Sequence, residues 1–366
     1  MASSDIPTCR WGIITTGLIS SWFVGDLVMP RTDAKARHII QAIGSSSLEK
    51  SQDFASKLLK DVPDAEPALY GSYDDVYRDP NVDCVYIGSP HGFHKRDCLA
   101  AIAAGKNVLC EKAFALNAKG AREVFAAAEA KGVYVAEAMW LRHRPLVADL
   151  RKLLYEDKAI GNVFRTTSDF QMYLDIAGLP STSRYKDVSL GAGSLLDIGI
   201  YPLTWSILTL EADAPAPRKM PTIKAAQSFV DGIEVTTTIL LHHPETDRQA
   251  IVTSSTERAC GATRASSNVI ATIDGTDGFV EVEGHAASHP RSFTVYPKWT
   301  GDEKPQGKKY DYQRPQQGFI YEADNTALDL AAGKKESSIM PWSETIRVLE
   351  IMDEVRRQGG TKYPVD

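Results

Sequence analysis

The amino-acid sequence predicts an α/β protein of two domains: a doubly wound parallel sheet over residues 1–139, then an α+β domain with a large, mostly antiparallel open sheet over residues 140–366. Three observations carry this. The 366 residues suffice for two cores, since a domain takes roughly 100 to 200 residues. As far as Glu137, short β-branched runs alternate with helical patterns, which produces parallel strands joined by right-handed crossovers. Beyond Trp140 the runs follow one another at hairpin distances, which favours antiparallel pairing.

In the first half the strands read RWGIIT, HIIQAIG, VDCVYIG, KNVLC and VYVAE, with helices expected at 17–30, 47–60, 91–104 and 117–131. These strands are almost continuously apolar, as required when helices cover both faces of a sheet. The second half predicts a helix at 145–156, a strand near 163–173 and a Gly-rich turn entering a helix over 191–210. TIKAAQSFV, EVTTTILLHH, RQAIVTSST, NVIATIDG, GFVEVEG and SFTVYP follow as strands. Residues 211–221 and 297–317 are rich in Pro and charge and read as surface loops, and helices at 319–332 and 343–358 close the chain.

Composition narrows the function. With 43% hydrophobic and 24% charged residues the chain matches an average globular protein, so extensive disorder is not expected. Its 41 basic and 47 acidic side chains leave a net charge of -6, which disfavours nucleic acid and anionic membranes as partners. The longest uncharged apolar run, Ile198 to Leu210, is 13 residues and too short to span a bilayer. The opening MASSDIPTCRWG lacks the basic-then-apolar pattern of a secretory signal. Cys9, Cys84, Cys98, Cys110 and Cys260 form no CxxC pair and read as buried thiols of a cytoplasmic protein, without metal or disulfide roles.

Candidate chemistry gathers at strand ends. The first strand runs into Thr15, Thr16, Gly17, Leu18 and Ile19, where a dinucleotide-binding fold places its phosphate turn. A GxGxxG register beginning at Thr15 keeps only Gly17, so the choice lies between a phosphate site on a helix N-terminus and an ordinary strand-to-helix turn. The second strand ends in Ser45, Ser46, Ser47 and Lys50, without the acid that would meet a ribose 2′-hydroxyl. Hydroxyls and an ammonium suit a 2′-phosphate and hence NADP, while a serine can also cap the following helix. Ser89, Pro90, His91 and His94 stand at the next strand end, with His94 either packing in the helix or meeting the cofactor. Glu111 and Lys112 end the strand after that, as a catalytic pair or a surface ion pair. In the second half Asp197 and Tyr201 are four residues apart and share one helix face, as an acid-phenol site or as satisfied core groups.

Together with Trp11-Gly12-Ile13-Ile14, Tyr70-Gly71-Ser72-Tyr73, Asp79-Pro80-Asn81-Val82, Ala104 to Lys112, Glu137 to Trp140 and Leu196 to Pro202, these segments resemble the Gfo/Idh/MocA family across nearly the whole chain. The pattern is most similar to its branch of dimeric dihydrodiol dehydrogenases and fungal-type NADP-dependent D-xylose 1-dehydrogenases. The resemblance implies a Rossmann dinucleotide-binding domain, with Lys112, Asp197 and Tyr201 as the catalytic set. It places Ser46 and Lys50 against the 2′-phosphate, and Trp140, Arg142 and Phe170 with the substrate. Ala113 stands where the family usually has Pro, and Leu141-Arg142-His143-Arg144 replaces the Thr-Arg that follows the tryptophan in mammalian-type sequences. The implied activity is NADP-dependent oxidation of an aldopyranose at C1, D-xylose first, to the aldonolactone, in a homodimer formed through the open sheet and without a metal. A dihydrodiol or other polyol dehydrogenase, and a non-catalytic NADP-binding regulator, are the competing readings.

Overall fold

Residues 6–214, 218–257, 267–312 and 317–366 are described by the computed structural model. They fall into two units, one of residues 1–143 and 316–346, the other of residues 144–315 and 347–366. Where the sequence suggests one boundary after residue 139, the structure groups 316–346 with the first unit.

The first unit holds β1 (Thr8–Ile14), α1 (Leu18–Leu27), β2 (Arg37–Gly44), α2 (Leu48–Leu58), β3 (Ala68–Tyr70), α3 (Tyr73–Arg78), β4 (Cys84–Ile87), α4 (His91–Ala103), β5 (Asn107–Glu111), α5 (Ala118–Lys131) and β6 (Val135–Ala138). All six strands are parallel, in the order β3-β2-β1-β4-β5-β6. Trp11, Ile13 and Ile14 of β1, and all four residues of β4, are fully buried, which explains their unbroken apolar character. Side chains of Ser47, Ser72 and Asn117 cap α2, α3 and α5 by accepting a backbone N–H three residues on. The direction of strand order reverses between β1 and β4, where an open sheet leaves a crevice at its carboxyl ends. β3 and α3 were not expected, because a half-buried edge strand of three residues carries almost no periodicity.

The second unit contains α6 (Pro145–Tyr155), β7 (Val163–Gln171), a π-helical turn (Leu195–Gly199) continuing into α7 (Ile200–Leu210), and β8 (Thr222–Val230), β9 (Ile233–His243), β10 (Arg248–Ser255), β11 (Asn268–Gly275), β12 (Gly278–Ala286), β13 (His289–Pro297) and β14 (Lys308–Asp311). Its eight strands run in the order β14-β13-β12-β11-β7-β10-β9-β8, antiparallel except where β7 pairs in parallel with β10. One face is apolar: Ile239, Leu241, Ala250, Val252, Val280 and Val282 are buried. Every residue of α7 is buried too, which accounts for the longest apolar run of the sequence. The other face is open and rich in threonine, with Leu240 and Ile251 exposed as cross-strand neighbours. β14 lies in the stretch read as a loop, because an edge strand of mostly exposed, charged residues shows no apolar alternation.

Two helices close the chain, α8 (Ile320–Ala331) and α9 (Trp342–Gly359). Among the described residues no helix is long and apolar enough to cross a membrane. Cys9, Cys84, Cys98 and Cys110 are buried free thiols, and Cys260 lies outside the described residues.

Candidate active site

In the first unit the predicted nucleotide residues stand at the carboxyl ends of β1, β2, β4 and β5. Thr15 has φ 76°, the left-handed conformation that the opening glycine of the fingerprint normally supplies. A β-branched residue there costs roughly 1–2 kcal/mol. Hydrogen bonds offset that cost: Thr15 Oγ1 donates to the Gly88 carbonyl at 3.0 Å and lies 3.1 Å from Ser20 Oγ, while its N–H donates to the Gly44 carbonyl at 3.0 Å. Ser20, at the third fingerprint position, is matched by Gly88, where a Cβ would lie 2.4 Å from Ser20 Oγ. A glycine on the helix normally allows the close approach of helix and strand, and in this chain the glycine that follows β4 allows it instead.

Gly17 is the exposed N-cap of α1 and supplies no side-chain cap. A Cβ at Gly17 would meet no atom within 4 Å, so the fold itself does not require glycine there. That open cradle, before the first-turn N–H groups of α1, fits a pyrophosphate. Leu18 beside it is exposed and Ile19 is half-buried. Thr16 Oγ1 and the buried Ser45 Oγ are 2.9 Å apart and join the ends of β1 and β2. Ser46 and Lys50 are both exposed, and Lys50 Nζ donates to Ser46 Oγ at 2.9 Å. Ser47 meanwhile caps α2, so the capping and phosphate readings of this segment coexist. The residues present fit a nicotinamide dinucleotide carrying a 2′-phosphate.

At the end of β4, Pro90 is the N-cap of α4, Ser89 Oγ donates to Asp97 at 2.7 Å, and the buried His91 stacks edge-on against His94. Of its two readings, His94 takes the packing one here. Its ring is fully buried, with Nδ1 2.9 Å from the Ala113 carbonyl and Nε2 2.7 Å from that of Ser89. Burial lowers its pKa while the two carbonyls oppose that shift, and the ring ties the β4 turn to the segment after Lys112.

Glu111 also turns inward. Tyr86 Oη donates to Glu111 Oε1 at 2.6 Å and the Lys112 N–H to Oε2 at 3.2 Å, which leaves any cofactor contact at Glu111 to its backbone. Burial pushes this carboxyl up to about 7, against the pull of Tyr86 and of the Lys112 charge. Lys112 itself is half-buried, followed by a cis peptide to Ala113. Glu137 of β6, which opens one of the family-like segments and carries no expected role there, accepts the Phe114 N–H at 3.1 Å and the Thr345 hydroxyl at 2.8 Å. Trp140 stacks on Phe319 with ring centroids 4.7 Å apart and is buried. Arg142, expected at the substrate, is buried, and its Nη2 donates to Glu344 Oε2 at 2.7 Å.

In the second unit Asp197 sits in the π turn and Tyr201 in the first turn of α7, near enough in phase to share one side. Asp197 is partly exposed and Tyr201 is buried. Phe170 of β7 is half-buried and its ring lies 5.9 Å from that of Tyr201. Arg184, which sequence reasoning missed, is exposed and opens a short 3-10 turn (Arg184–Lys186) before the π turn, with Nη2 4.0 Å from Asp197 Oδ2. No motif marks it.

A doubly wound parallel sheet with an open glycine N-cap at its switch point is the arrangement of a dinucleotide-binding domain. Residues 9–139 match the family described as "Oxidoreductase family, NAD-binding Rossmann fold". The whole chain is 34% identical to D-xylose 1-dehydrogenase (NADP(+)) from Hypocrea jecorina, covering 100% of this chain and 95% of that protein. It is 32% identical to trans-1,2-dihydrobenzene-1,2-diol dehydrogenase from Sus scrofa over 98% of each. Among solved structures, a 3-ketoreductase from Actinomadura kijaniata in complex with NADP and TDP-benzene shares the fold at a TM-score of 0.76 and 21% identity, covering 96% of this chain and 98% of that one. The chain belongs to the Gfo/Idh/MocA family and is an oxidoreductase acting on CH–OH groups with a nicotinamide dinucleotide.

Proposed function

We propose that this protein is an NADP-dependent sugar dehydrogenase that oxidises C1 of an aldopyranose, D-xylose first, to the aldonolactone. The observation that carries the reading is the acid-phenol pair Asp197 and Tyr201, one turn apart beside Phe170, in a dinucleotide-binding oxidoreductase. Full-length similarity to the fungal NADP(+) enzyme supports the substrate, and the Lys50–Ser46 pair supports NADP over NAD.

Bound NADP supplies the hydride acceptor. Tyr201, ionised to the phenolate, takes the proton of the C1 hydroxyl and becomes the phenol, Asp197 orients the sugar and the lysine, and Lys112 supplies the positive charge that favours the phenolate. Phe170 offers its ring to the apolar face of the sugar. Trp140 is the second aromatic residue assigned to the substrate. Thr15 to Ile19, Ser45 to Ser47, Lys50 and the turn Ser89 to His91 hold the dinucleotide. The buried thiols fit a reducing cytoplasm, and the threonine-rich open face of the second sheet fits a homodimer contact.

The test is the initial rate at 340 nm with NADP or NAD and D-xylose, D-glucose, L-arabinose or a trans-dihydrodiol. NADP-dependent oxidation led by D-xylose is expected. A dihydrodiol ahead of every sugar transfers the assignment to the second relative's chemistry, and tight NADP binding without turnover of any of them overturns D-xylose as the substrate and favours a non-catalytic regulator or another sugar derivative.

A further inference from the structure

We infer that Glu234 is a positioning residue that sets the turn carrying Asp197 and Tyr201; this rests on the catalytic roles proposed for that pair. Glu234 is the second residue of β9, with apolar Ile233 and Val235 on either side, and only 2% of it is exposed. Its carboxyl is spent on the start of the π turn. Oε1 accepts from Ser194 Oγ at 2.6 Å and from Thr237 Oγ1 at 2.7 Å, and Oε2 accepts the Leu195 N–H at 2.8 Å.

The surrounding backbone is shaped to admit that contact. Gly193 has φ 133°, and a Cβ there would lie 3.0 Å from Glu234 Oε2, so a larger residue would meet both a conformational and a steric barrier. From β10, Ser254 Oγ lies 3.0 Å from Ser194 Oγ, and a Cβ on Gly199 would come within 2.8 Å of it. Two strands thus grip the turn at both ends, with the only carboxyl of the grip on β9.

The consequence is one of phase. Leu195 precedes Asp197 by two residues and Tyr201 by six, so a bond at its N–H fixes the rotation of the helical start from which both side chains project. A carboxylate placed there also meets the positive end of the helical dipoles. Misplacing a reacting group by about 1 Å costs on the order of 100-fold in rate. Losing the grip should therefore register in turnover rather than in dinucleotide binding, which the first unit performs.

Glu234→Met tests this, because a side chain of similar length is kept while the acceptor of the Leu195 N–H is removed; Glu234→Gln, whose carboxamide can still accept that N–H while the Ser194 and Thr237 hydroxyls turn to accept from it, should stay within about threefold of wild type. For the Met variant the expected result is a kcat about 10- to 100-fold lower, NADP affinity within about twofold of wild type, a thermal midpoint within a few degrees, and faster amide exchange confined to 194–201. In an Asp197→Asn background the same change should cost less than about twofold, since both act on one step. Ser194→Ala, which removes one donor, should show a weaker form of the same pattern and serves if the Met variant does not fold. Unchanged exchange at 194–201 with unchanged kcat overturns the inference. So does a fall in kcat accompanied by equal losses in NADP affinity and thermal midpoint, which would mark a general structural role. Wild-type turnover in Asp197→Asn and Tyr201→Phe refutes instead the catalytic assignment, and the exchange measurement then still decides whether Glu234 sets the turn.

Discussion

Lys50→Ala separates NADP from NAD at one exposed ammonium. Lys50 Nζ reaches Ser46 Oγ at 2.9 Å at the end of β2, and both side chains face solvent. The helix beneath them is held independently, because the Ser47 cap accepts from the backbone N–H of Lys50, which alanine retains. Lys and Ala differ little in helix propensity, so stability should change by less than about 0.5 kcal/mol. A charge-assisted bond to a phosphate is worth roughly 1.5 to 3 kcal/mol, and at about 1.4 kcal/mol per decade its loss weakens NADP binding by roughly 10- to 150-fold. NAD lacks the phosphate and should bind within about twofold of wild type. Titration of each dinucleotide by protein fluorescence measures both constants without any sugar, and the NADP loss should shrink as salt is raised. An NADP affinity unchanged by Lys50→Ala, or an equal loss for NAD, refutes the assignment of this pair to the 2′-phosphate.

Tyr201→Phe and Lys112→Ala should each lower kcat by about 100-fold or more with dinucleotide affinity nearly unchanged, measured by initial rates at 340 nm. Near wild-type turnover removes that residue from the mechanism. Gly88→Ala should weaken dinucleotide binding by about tenfold or more, because its Cβ would sit 2.4 Å from Ser20 Oγ and displace the first turn of α1; Ser20→Gly should restore much of the loss, read by the same titration. Glu111 makes stability depend on pH. Its folded pKa, about 7, lies above the ordinary 4.5, so its contribution is most favourable below pH 4.5 and is lost as pH rises to about 7. Glu111→Gln should flatten the urea-unfolding free energy over that interval, and a slope equal to wild type would show that Glu111 does not titrate there.

The legible parts of this molecule are those whose signal is local. Five of the six parallel strands announce themselves as buried apolar runs, and Ser46, Lys50, Lys112, Asp197 and Tyr201 stand out because each lies at a strand end or at helical spacing. What resisted reading depends on partners far along the chain. His94 reads equally as a helix residue or a cofactor residue until the Ala113 and Ser89 carbonyls are seen to face its nitrogens. Arg142 looks like a substrate cation until Glu344, some two hundred residues on, is found beside it.

By itself the sequence determined the alternation of strand and helix, the two kinds of sheet and the chemical types at the strand ends, because periodicity, caps and turn residues act within a few positions. Only the tertiary structure decided that residues 316–346 group with the first unit, that β7 enters the middle of the second sheet beside β10, and that Thr15 with Gly88 takes over what two fingerprint glycines normally do. It alone decided where Glu234 spends its charge. A carboxyl in an apolar strand is an anomaly in sequence, and becomes intelligible when Ser194, Thr237 and the Leu195 N–H converge on it. Long-range hydrogen bonds in a buried site are set by which surfaces pack together, and no local pattern encodes that.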